Sequence, residues 1–123
     1  MMISYQAYKL IHLLGVLMLF LSFGGLILHA INGGSRKHPW RKLLMITHGM
    51  GILLALVGGF GLLARLGILW PWPGWVITKV AIWVVLAALP AIVVRNPSWA
   101  TAFWWITVAL GGFAAYLAGS KPF

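Results

Sequence analysis

Four runs of apolar residues, each near the length that crosses a bilayer, leave this chain few folds to choose from. They cover about residues 5–31, 40–66, 74–94 and 98–119. Roughly 20 apolar residues span the hydrocarbon core as a helix. Between the runs stand breakers: Asn32-Gly33-Gly34-Ser35, then WPWPGW over Trp70–Trp75, then Arg95-Asn96-Pro97. Proline stops a helix, and tryptophan favours the headgroup level. Lipid offers no partner for backbone polar groups, so only helices or closed barrels can span it, and the apolar period is wrong for a barrel. Loops this short make successive helices antiparallel neighbours. The expected fold is all-α: one domain over residues 1–123, an up-down bundle of four transmembrane helices.

Composition agrees. Of 123 residues 63% are hydrophobic and 7% charged, a balance typical of integral membrane proteins. The first run is longer than a signal-peptide core and no small-residue cleavage site follows it, so it reads as a retained helix. Cysteine is absent, which removes disulfides, thiolate ligands and thiol nucleophiles. Asp and Glu are absent too. That excludes carboxylate bases, carboxylate proton relays and oxygen cages for calcium or magnesium. The net charge of +9 is spread over the ends of the apolar runs. Anionic headgroups of the bilayer, not nucleic acid, are the expected counterions. The densest basic cluster is Arg36, Lys37, Arg41 and Lys42, around the first loop. By the positive-inside rule that loop is cytoplasmic and both termini lie outside.

Few polar side chains fall inside the runs. His12 lies too deep in the first to be an ordinary interfacial residue, and at helical spacing it shares a face with Gly15, Leu19 and Leu26. Lys79 lies early in the third run, which points the same way, so His12 and Lys79 are expected in one leaflet. The histidine needs a hydrogen-bond partner, and the lysine needs water, a headgroup or an anion. The alternatives are an interhelical hydrogen bond for His12 and snorkelling for Lys79. Lys9 is expected to snorkel. His48 heads a face of small residues, Gly51, Ala55, Gly58 and Gly59. Such a stripe suits close helix packing, or room for a flat cofactor whose iron a histidine meets. Ligation of one iron by both His12 and His48 requires bridging an axial offset of roughly 15 Å. No histidine pair stands at i and i+4, so a zinc site is not expected. Trp83, one turn from Lys79, is placed to cover a ligand or to make a cation–π contact. Pro90 is expected to kink the third helix, its freed carbonyl being met inside the bundle. His29 and His38 read as surface histidines. Thr101, Val108, Gly111, Gly112 and Ala115 read as packing residues of the fourth helix.

Lys9-x-x-His12, Arg41-Lys42-Leu43-Leu44 and Trp75-x-x-x-Lys79 resemble the layout of HemJ-type bacterial protoporphyrinogen IX oxidases, small membrane haem proteins. LMITHGMGILLALVGGFGLL and WPGWVITKVAIW resemble SirB-type small membrane proteins more closely. The likeness covers three helices. It implies a bacterial cytoplasmic membrane location, haem b as cofactor, His12 as the haem-associated histidine and Lys79 as an essential lysine. His48 belongs to the SirB-type likeness alone. The chain departs from the HemJ-type pattern in having no acidic residue in its first loop.

Three functions fit these residues. One is a haem-binding, redox-active membrane protein, if an enzyme then an oxidoreductase related to protoporphyrinogen oxidation. Its site would be His12, His48, Lys79, Gly51 and Trp83, with a porphyrin ligand. The second is an accessory subunit packing on a larger membrane partner. The third is an anion channel or transporter, which four helices could form only as a homodimer.

Overall fold

The structure, a computed structural model, describes residues 4–33 and 41–121. They form α1 (Tyr5–Ile31), α2 (Arg41–Leu66), α3 (Gly74–Arg95), a 3-10 turn (Pro97–Trp99) and α4 (Ala100–Ser120). All four helices are long and apolar enough to cross a membrane. Large apolar side chains point away from the bundle, with Leu17 68% and Leu21 74% exposed. Water would oppose that arrangement and lipid does not, so the fold is that of an integral membrane protein. His38, Arg36 and Lys37 lie outside the described residues.

Local chemistry sets the helix ends. Ser4 Oγ accepts from the Ala7 amide at 3.1 Å and caps α1. At the end of α2, Gly67 takes φ +72°. Its amide reaches Ala64 O at 3.2 Å and that of Ile68 reaches Leu63 O at 3.0 Å. These paired bonds close a helix over a left-handed glycine. Asn96 Nδ2 donates to Ile92 O at 3.0 Å and closes α3 one residue later than expected, at Arg95. The expected fourth helix also starts differently. Pro97 opens a 3-10 turn, and the α-helix begins at Ala100 instead of Ser98.

The helices alternate in direction, and α1 touches all the others. The most extensive pairing is α1 with α2, and glycine makes it possible. A Cβ on Gly58 would collide with the backbone of His12, one on Gly15 with the Ala55 amide, and one on Gly61 with the Tyr8 ring. A Cβ on Gly51 would sit 2.8 Å from the Leu19 amide. The stripe on α2 therefore packs against α1, as small residues commonly do in membranes. Leu19, Phe23 and Ile27 of α1 fill the centre with Leu89 and Val93 of α3 and Leu117 of α4.

The expected packing face of α4 is largely wrong. Thr101, Val108, Gly112 and Ala115 are exposed. The inward residues are Ala100, Thr107 and Leu117, with Leu110, Gly111 and Ala114 partly buried. Of the two glycines in the expected set, a Cβ on Gly111 would meet the ring of Phe20 and one on Gly112 would meet nothing within 4 Å. The helix is apolar all round, so lipid-facing and core-facing sides look alike in sequence.

α2 and α3 pack sparsely. Two side chains bridge them. Trp83 Nε1 donates to Ile52 O at 3.1 Å, and His48 Nε2 donates to Leu86 O at 3.3 Å. Leu86 is the residue four before Pro90, and proline has no N–H to offer that carbonyl. The freed carbonyl is thus met inside the bundle, by His48.

Candidate functional site

The sparse α2–α3 seam widens, at the end where α1 starts and α4 stops, into a half-open cavity of about 160 Å³. Its walls are apolar and aromatic: Phe60, Leu63, Trp75, Val76, Val80 and Trp83. Three basic side chains line it, from His12 on α1, Lys79 on α3 and Lys121 at the end of α4.

His12 is held by α2. Its Nδ1 donates to Ala55 O at 2.7 Å, and its backbone lies against Gly58, so α1 and α2 touch at this level. A Cβ on Gly59 would come within 3.4 Å of His12 Nδ1, so the absent side chain leaves room beside the ring. Because a carbonyl can only accept, Nδ1 carries a proton, and in the neutral ring the lone pair is on Nε2. Histidines that ligate metals are oriented by the same kind of bond.

Lys79 is half-buried and, among the described residues, makes no hydrogen bond. It lies at the level of His12, as the parallel run of α1 and α3 requires. Lys121 ends α4 in the left-handed region at φ +46°. Its ammonium donates to Ala118 O at 2.9 Å and sits 5.5 Å from the centre of the Trp75 ring. The cation–π contact expected of Trp83 thus falls on Trp75, while the Trp83 N–H is engaged by Ile52.

The other expected site residues lie elsewhere. His48 sits one turn below the Trp83–Ile52 bridge, against the Phe23 ring at 5.3 Å between centroids. Its Nε2 is engaged by Leu86 O. His12 and His48 do not share a site, because antiparallel packing sets His12 opposite residues 55–59. Gly51 is buried between Gly15 and Leu19, outside the cavity. Among the described residues no three metal-ligating side chains cluster. His29 is half-buried on α1, well away from the cavity lining.

Sequence reasoning gave Lys121 and Phe60 no part in the site, and Trp75 only its place in the Trp75-x-x-x-Lys79 motif. The up-down order alone brings the end of α4 level with the start of α3, and that was the available signal for Lys121.

Fold and cavity together define a small four-helix membrane bundle with an aromatic, cation-bearing cleft near one membrane surface. Comparison of the chain with protein families, with curated proteins and with solved structures finds no match.

Proposed function

We propose that the chain is a membrane-embedded binding protein for a flat, acid-bearing amphiphile of the porphyrin class, with haem b as the specific ligand. One observation carries this reading. His12, its tautomer set by Ala55 O, opens into the same apolar cavity as an uncompensated Lys79. The donor set suits haem: one neutral imidazole with a free Nε2, aromatic walls, and ammonium groups where propionates need partners. The volume suits only part of it. Pockets that enclose drug-sized ligands run to about 300–1,000 Å³, so this cleft takes one edge of a macrocycle and stays open toward lipid.

His12 would hold the iron, and Lys79 and Lys121 the carboxylates. Bound haem would supply one-electron chemistry, and an oxidoreductase role would use the same site. Orientation follows the basic residues: Arg41 and Lys42 mark the cytoplasmic end, and the cavity faces the outer leaflet of a bacterial cytoplasmic membrane.

The other readings draw less support. The small-residue stripe of α2 is consumed by α1–α2 packing, which leaves only the exposed small residues of α4, Gly112 and Ala115, to argue for a larger partner. The cavity lining reaches no deeper than Ala55 and Trp83, whereas an anion channel or a homodimeric transporter needs a continuous path.

Visible spectra of the purified, air-oxidised and dithionite-reduced protein test the proposal, with haem supplied during expression. An intense porphyrin band that shifts on reduction and is lost in His12→Gln is expected. A colourless wild-type preparation that also fails to bind added haemin would end it.

A further inference from the structure

We infer that the mouth of the cavity is a two-lysine clamp for a single oxyanion, phosphate or carboxylate, carried on an apolar tail. The inference rests on the reading of this cavity as a ligand site, but not on the ligand being a porphyrin.

Lys79 and Lys121 come from different helices and line one small space. Two ammonium groups lining a common apolar-walled cavity repel each other, most at the half-buried Lys79 and least at the exposed Lys121. Proteins ordinarily relieve it with a carboxylate, yet this chain has no Asp or Glu at all. Lys79 makes no hydrogen bond among the described residues. Lys121 commits one of its three N–H groups to Ala118 O and keeps two. Snorkelling accounts for a lone lysine on a lipid-facing surface. It does not account for a half-buried Lys79 that shares one cavity with a second lysine, the exposed Lys121. A shared anion satisfies both groups, with donors left over on each.

The rest of the cavity describes what the anion is attached to. Past Lys79 on α3 the lining is Val80 and Trp83, with Leu56 contributed by α2; these offer a free hydrated ion nothing and suit a hydrocarbon tail. α2 and α3 pack sparsely along this seam, so a molecule already dissolved in the bilayer has a sideways route in. The occupant is therefore an acidic amphiphile, anion at the membrane surface and tail between α2 and α3.

The test is a titration of the full chain in neutral-lipid nanodiscs, read by tryptophan fluorescence, since Trp75 and Trp83 line the cavity. The probes are dodecyl phosphate, dodecanol and inorganic phosphate, with haemin in a parallel series. Dodecyl phosphate is expected to saturate at least about tenfold more tightly than dodecanol, a factor equal to about 1.4 kcal/mol. Inorganic phosphate is expected to show no saturation over the same range. Lys79→Met should abolish the preference and Lys121→Gln should lower it several-fold, while Lys9→Gln, on an exposed lysine outside the lining, should leave it intact. If Lys79→Met does not fold by circular dichroism, Lys121→Gln decides alone.

Equal affinity for phosphate ester and alcohol overturns the clamp, as does a preference undiminished in Lys121→Gln. Inorganic phosphate binding as tightly as the ester overturns the amphiphile. A protein that prefers dodecyl phosphate but ignores haemin keeps the clamp and loses the porphyrin reading. One that takes haemin without preferring the ester does the reverse.

Discussion

His48 donates through Nε2 to the carbonyl of Leu86 at 3.3 Å, the one carbonyl that Pro90 leaves without its helical donor. A histidine on α2 thus completes a helix it does not belong to. Pro90 is buried, so water cannot take that place.

The two residues should be coupled. In the wild type, His48→Ala strands the Leu86 carbonyl and is expected to cost about 0.6–1.7 kcal/mol, the range of interhelical hydrogen bonds in membranes. Pro90→Ala restores an N–H to the same carbonyl. In that background His48→Ala should cost measurably less. A double-mutant cycle on reversible unfolding in detergent checks this, and strictly additive losses would refute the coupling.

Glycines of the bundle should divide sharply by position. Gly58→Leu forces a side chain into the His12 backbone and is expected to lose at least about 1–3 kcal/mol, the usual cost of overpacking. On Gly49, in the same helix, an added Cβ meets nothing within 4 Å. There Gly49→Ala should gain roughly 0.5–1 kcal/mol from helix propensity. Thermal melts of the two variants against wild type provide the comparison.

Lys121 gives a variant whose stability and binding should move in opposite directions. It holds φ +46°, a conformation glycine adopts without strain. Lys121→Gly is expected to raise the melting temperature slightly while weakening dodecyl phosphate binding several-fold. A fall in both would mean that the lysine acts only by holding the end of α4.

The lack of cysteine makes the cavity easy to map. Val80→Cys lines it, whereas Ile77→Cys, nearly one turn away on α3, is 49% exposed toward lipid. A membrane-impermeant maleimide should label Val80→Cys in intact spheroplasts much faster than Ile77→Cys, and dodecyl phosphate should slow only the former. Labelling of Val80→Cys only after lysis would reverse the proposed orientation.

The fold was legible because bilayer length and breakers act locally. The first helix runs Tyr5–Ile31, the expected span, since Ser4 caps one end and Asn32-Gly33 breaks the other. The shared level of His12 and Lys79 followed from helix direction alone. The face of α4 was illegible for a physical reason. Trp105 and Val108 outside it are as apolar as Leu117 within, and in lipid hydrophobicity does not sort inside from outside. His48 misled because its small-residue stripe was serving α1. Lys121 was passed over because the up-down order gives only its level, and the docking of α4 is what brings it to Trp75.

Since α1 meets every other helix while α2 and α3 are joined by two side-chain bridges, the molecule is built like a book bound along its first helix. The fore-edge can part without disturbing the spine. Parting α2 from α3 would break those two bridges alone and leave the α1–α2 and α3–α4 faces in place.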